Sequence, residues 1–144
     1  MFDPASDRAN PAFWNRASHE RLPGHLGVEV TAIGAGAVEG RLAIAPHHLA
    51  PNGYLHAATV IGLADTLCGY GCSANLPEGA AGFTTIELKA NFLGTATEGA
   101  ITARATMLHG GRTTQVWDAD VLHAETGRRI AAFRCTQAIL WPRP

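Results

Sequence analysis

Residues 27–46 alternate in two short pieces, Val28/Val30 and Val38/Leu42/Ile44, with Gly34 to Gly36 between them. A period of two belongs to a strand with one buried face, and the glycines supply a turn, so the stretch reads as a β-hairpin. Pro46 to Gly53 reads as a loop. The pattern then changes. Residues 57–75 run without proline and well past strand length, which predicts a helix. Gly62, Gly69 and Gly71 each cost it about 1 kcal/mol against alanine, a penalty best explained by a curved sheet passing close to its surface. Four strand-like segments follow, at 83–92, 99–108, 113–123 and 129–140, parted by "GTATEG", "HGGR" and "AETGR". In the third, Val116, Asp118 and Asp120 form a wet face against Trp117, Ala119 and Val121. Ahead of all this, Asp7 or Asn10 can cap a short helix reaching about Ser18, with Pro11 in its first turn and Phe13, Trp14 and Ala17 on one side. "LPGHLG" ends it.

The order is short helix, two strands, long helix, four strands, with no strand-helix alternation and so no doubly wound sheet. The class is α+β: one buried helix enclosed by long antiparallel strands. A length of 144 residues is most simply one domain. Residues 1–21 form an N-terminal helical extension, and 22–140 form the core.

Composition narrows the functions. The chain is 47% hydrophobic and 16% charged, with eleven basic against twelve acidic residues and a net charge of −1. No global field draws it to nucleic acid or to an anionic membrane. Cys68, Cys72 and Cys135 each sit in an apolar run, as buried free thiols do in a reducing compartment. The histidines lack zinc spacing, so no metal is expected. With no leader pattern and no run of spanning length, the expectation is a soluble cytoplasmic protein.

Within the predicted helix one residue stands apart. Asp65 is the single charge between residues 57 and 77, nine positions after His56. A carboxylate there is either part of a structural ion pair or a base or nucleophile in a partly dry cleft. Such a cleft raises a carboxyl pKa, yet the group should still ionise near neutrality. It could then attack a carbonyl or activate water. Acyl transfer also needs donors aimed at the developing oxyanion. The amides of Ala57 and Ala58 fall among the N–H groups that lack partners at a helix start, and Gly53 lets the chain turn into that start. His56, at the N-cap, suits an orienting role better than that of main base, because the positive end of a helix disfavours its cation.

"GYLHAATVIGLADTLCGYG" together with the segment from Thr84 to Trp141 resembles the PaaI-like branch of the hotdog-fold acyl-CoA thioesterases, over roughly residues 22–140. The resemblance implies a long central helix wrapped by a curved antiparallel sheet of five or six strands. It implies hydrolysis of acyl-CoA to acid and CoA, with no cofactor beyond the CoA of the substrate. Gly53, His56, Ala57, Ala58 and Asp65 match the family's Gly-x-x-His-Gly-Gly and the acid nine positions on. Asp65 is then nucleophile or general base, the Ala57 amide forms the oxyanion hole, and Thr85 helps hold the attacking water. Homodimers sharing their active sites, commonly as a dimer of dimers, are implied too. Asn91 and Phe92 match an "N-F" pair near the acyl pocket or subunit boundary.

Two departures stand out. Ala57-Ala58 replaces the glycine pair, keeping the N–H groups but adding methyls beside the thioester. Ala50 stands where an asparagine is usual, so that either Asn52 substitutes from a shifted loop or the role is absent. The turn "HGGRTT" is a plain hairpin connection or, as relatives suggest, a place for CoA phosphates, with Arg112, His109, Gly110 and Gly111 as its residues. Lys89, Arg128 and Arg129 are weaker candidates. Aryl, short or medium acyl groups suit Tyr70, Phe83 and Phe92, which serve equally well as ordinary core. Two rivals share the scaffold: a hotdog enoyl-CoA hydratase or dehydratase, and a non-catalytic acyl-CoA-binding module.

Overall fold

The structure, a computed structural model, describes residues 7–144. Helix α1 (Pro11–Ser18) starts where Asn10 accepts the Ala12 N–H, with proline in its first turn. "LPGHL" does more than end it: Leu22–Leu26 forms a second short helix, α2, stopped by Gly27 in the left-handed region. Pro23 early in α2 and glycine after it are start and stop signals, compressed into five residues that hydrophobic spacing cannot register. Strands β1 (Val28–Gly34) and β2 (Ala37–Ala43) form the expected hairpin. The following loop holds a single 3-10 turn, Pro46–His48.

Helix α3 (Ala57–Ala74) precedes β3 (Gly82–Phe92), β4 (Ala100–Gly110), β5 (Thr114–His123) and β6 (Arg129–Leu140). All six strands join one antiparallel sheet in the order β1-β2-β4-β5-β6-β3. Helix α3 packs against every one of them, which is the hotdog arrangement. Its inner face, Val60, Leu63, Ala64, Leu67 and Cys68, meets Val38, Leu42, Ile101, Trp117 and Phe133 in one core. The expected wet and dry faces of β5 are as observed, with Trp117, Ala119 and Val121 buried.

Two of the three helix glycines mark close approaches, one of them to the sheet. A Cβ on Gly71 would lie 2.6 Å from the Trp117 ring. At Gly62 the neighbour is Leu26 of α2, at 2.5 Å, rather than a strand. Gly69 meets only ordinary contact, with Phe83 at 3.4 Å.

One end of the sheet is unguarded. Among the described residues strand β3 pairs only with β6, and its register slips between Thr85 and Glu87, leaving Ile86 as a bulge with 63% of its surface exposed. No helix among the described residues is long and apolar enough to cross a membrane.

Candidate active site

The start of α3 is held by a histidine outside it. The carbonyl of His48 accepts both the His56 N–H and the Thr59 hydroxyl, each at 2.9 Å. The His48 ring is itself buried between two backbone groups: Nδ1 accepts the Ala45 N–H at 2.9 Å and Nε2 donates to Leu26 O at 2.7 Å. Burial pushes this imidazole below its ordinary range despite the Leu26 carbonyl, so it is neutral. His48 gave no sequence signal, since a histidine after Pro46 belongs to no periodic element.

His56 is the N-cap, extended at φ −70° and ψ 137°, and its Nδ1 accepts the Ala58 N–H at 2.9 Å. The expected pair of free donors is therefore reduced to one. The Thr59 N–H goes to His56 O, while the Ala57 N–H has no partner among the described residues. Gly53, at φ +86°, makes the turn into this start. A cavity of about 310 Å³ lies beside Ala57, walled by Leu55, Val60, Phe92 and Ile130.

Asp65 lies on the outer flank of α3 with Ile61, Gly62, Thr66, Gly69 and Ser73, all half-buried. That flank is partly open, whereas Cys68 and Cys72, three and seven residues further on, turn into the core. Among the described residues Asp65 makes no ion pair, and its Oδ1 is buried with no hydrogen-bond partner. Desolvation raises its pKa above the ordinary aspartate value. A cavity of about 370 Å³ contains it, lined also by Thr85, Phe83, Tyr70 and Trp14. Thr85 donates its hydroxyl to Oε1 of the fully buried Gln137 at 2.7 Å, and Gln137 Nε2 reaches Cys135 Sγ at 3.3 Å. Gln137 could have been noticed as the one amide on the dry parity Phe133, Cys135, Ile139.

Neither Cys68 nor Cys72 offers a competing nucleophile at neutral pH. The Cys68 thiol is held far up by its hydrogen bond with Cys135 and by burial, and burial takes Cys72 to about 12.

Other candidates sit elsewhere. Asn52 accepts the Tyr54 N–H at 3.2 Å in an exposed turn and touches neither His56 nor Asp65. Asn91 faces away from α3, in a charged groove on the outer side of the sheet with Lys89, Asp118 and Arg134. Strand parity decides this: Asn91 is two residues from Lys89 and opposite Ala132, whereas Phe92 turns toward α3. Arg129 pairs with Asp120. In the β4–β5 turn the Arg112 guanidinium stacks over Trp141, 4.5 Å from the ring centroid, and the Trp141 indole donates to Arg112 O at 3.0 Å. His109 lies over Gly111, where a Cβ would meet its Nε2 at 2.8 Å. A larger depression of about 700 Å³ beside α1, near Ala12, Arg16 and Glu20, holds none of the candidate groups.

Distance within the chain is the main geometric fact. Ala57 and Asp65 are eight residues apart on one helix, about 12 Å along its axis. One thioester carbonyl cannot touch both.

Residues 52–131 match the family model described as "Thioesterase superfamily". A putative esterase of Haemophilus influenzae is 31% identical over 116 residues, covering 81% of this chain and 83% of that protein. A 1,4-dihydroxy-2-naphthoyl-CoA hydrolase of Listeria monocytogenes is 29% identical over 114 residues, 79% of this chain and 91% of that one. Among solved structures, the thioesterase HI1161 of Haemophilus influenzae superposes with a TM-score of 0.84 at 28% identity, covering 91% and 90% of the two chains.

Proposed function

The chain belongs to the thioesterase superfamily and is a thioester hydrolase; from that premise we propose that it hydrolyses an aryl or short to medium acyl-CoA to the free acid and CoA, with Asp65 as the acting group. The observation that carries this reading is the buried, unpartnered Oδ1 of Asp65 in a cavity shared with Thr85. The aryl preference draws on the aromatic lining and on the Listeria relative, whose name gives it an aromatic acyl-CoA as substrate.

The offset of about 12 Å favours a homodimer as the active unit. Asp65 of one subunit works with the Ala57 N–H of the other, and the unpaired β3 edge is the surface on which two copies would meet. In one course Asp65 takes a proton from water that Thr85 also holds, and the water oxygen attacks the thioester carbon. In the other, Asp65 attacks that carbon itself, and water then cleaves the mixed anhydride. In both, the carbonyl oxygen gains charge opposite the Ala57 N–H, the C–S bond breaks, and CoA leaves as a thiolate that takes up a proton. Arg112, with His109, Gly110 and Gly111, offers donors to the CoA phosphates, and Asn91 is left outside this constellation.

Thiol release from benzoyl-CoA and hexanoyl-CoA tests the reading. Asp65→Asn should lower kcat by about 10²–10⁴-fold. Release that persists in Asp65→Asn, or its absence with every acyl-CoA, overturns it. Loss of the enoyl absorbance of crotonyl-CoA without free thiol would assign the hydratase instead.

A further inference from the structure

The cavity that holds Asp65 is bordered at one side by a residue from outside the core. Trp14, on α1, stacks on Tyr70 of α3 with ring centroids 4.2 Å apart and planes 16° from parallel. Both rings have their polar atoms engaged elsewhere: the Trp14 indole donates to Arg8 O at 2.9 Å, and the Tyr70 hydroxyl bonds to the Ser18 hydroxyl. What they present to the cavity is therefore carbon. Phe83 supplies a third ring, lying close over Gly69, where a Cβ would meet it at 3.4 Å. Tyr70 is five residues beyond Asp65, about 7.5 Å along the helix. That is about the reach of one six-membered ring from its carbonyl carbon, and a flexible chain would run into the stacked pair.

We infer that Trp14, held against Tyr70 by α1, is the end wall of the acyl subsite and restricts it to compact acyl groups, aromatic ones above all. The inference rests on the hydrolase reading for which group is transferred, and on the cavity for where that group sits. A flat acyl ring meets the exposed edges of Trp14, Tyr70 and Phe83, whose partial positive charge suits the negative face of another ring. Trp14 is a specificity-determining residue that takes no part in the bond changes.

Two measurements on the full chain decide it. The first is the ratio of kcat/KM for benzoyl-CoA to that for decanoyl-CoA in wild type, Trp14→Ala and Trp14→Phe. Opening the end wall should shift the ratio toward decanoyl-CoA by about tenfold or more, and Trp14→Phe should restore most of the aryl preference. Equal losses for both substrates in Trp14→Ala would make Trp14 merely structural and overturn the inference. Should Trp14→Ala fail to fold by circular dichroism, Trp14→Leu keeps apolar packing without the ring and is read the same way. The second is calorimetric binding of phenacyl-CoA, a thioether with a ketone that cannot be hydrolysed. Trp14→Ala should weaken phenacyl-CoA about tenfold and leave CoA unchanged. Trp14-dependent binding without thiol release from any substrate would sink the hydrolase and keep the subsite. Binding that ignores Trp14, or no binding, sinks the subsite.

Discussion

Thr85 gives its only hydroxyl proton to Gln137 and so can only accept from the cavity it shares with Asp65. In the proposed mechanism a water between these two side chains would donate one hydrogen to Thr85 Oγ1 and the other to the carboxylate, leaving a lone pair free for a carbonyl carbon. Gln137, fixed on β6 by burial, keeps the hydroxyl in that sense. Thr85→Val should therefore lower kcat about tenfold, the worth of one hydrogen bond, with KM little changed. Thr85→Ser should keep most of the rate. Steady-state thiol release on both variants checks this.

Asp65 ties activity and stability to pH in opposite directions. Its folded pKa is raised by desolvation, so the native state binds this proton more tightly than the unfolded chain does. The contribution to stability is full below the ordinary aspartate range and declines as pH climbs through the raised value. At neutral pH the ionised group is a burden on the fold. Asp65→Asn should melt higher than wild type at pH 7, and the difference should vanish in acid where the wild-type carboxyl is protonated in both states. Thermal melts across pH settle it.

The proposed catalysis needs the ionised form that stability disfavours. The acid limb of kcat/KM should rise through an apparent pKa above the ordinary aspartate value, and Thr85→Val should retain that limb at a lower plateau. A limb at or below the usual carboxylate range would contradict the desolvated environment of Asp65.

Ile86 offers a handle on association. It stands at the bulge of the unpaired β3, next to Thr85, with most of its surface open. Ile86→Lys should shift sedimentation toward the monomer and reduce thiol release in proportion, while leaving the melting of the isolated fold within about 0.5 kcal/mol of wild type.

Gly71→Ala should cost about 1–3 kcal/mol in urea unfolding, because the new methyl has to displace the fully buried Trp117 ring 2.6 Å away.

Legibility followed period. The strands of the hairpin and of residues 82–140 carry alternation, and α3 carries length without a breaker, so both were readable within a residue or two. Helix α2 was not, since five residues with proline and glycine show no face. Asp65 stood out because a lone charge in an apolar helix has few explanations. The side of the sheet that Asn91 takes was not legible, because a motif match fixes a residue's place on a strand, while only strand pairing decides which face it joins. His48 and Gln137 act through single hydrogen bonds between distant segments, and such bonds leave no periodic trace. Ala58 looked free until the His56 side chain turned back on it.

The spacing of Ala57 and Asp65 along α3 leads to a genetic test. Proline at the first helical position removes one N–H and little else, and the extended His56 already has the geometry that a following proline demands. Ala57→Pro should thus be inactive yet folded, as should Asp65→Asn. Unfolded and refolded together in equal amounts, two dead proteins should recover about a quarter of wild-type turnover, because half of the random pairs are mixed and each mixed pair rebuilds one of its two centres.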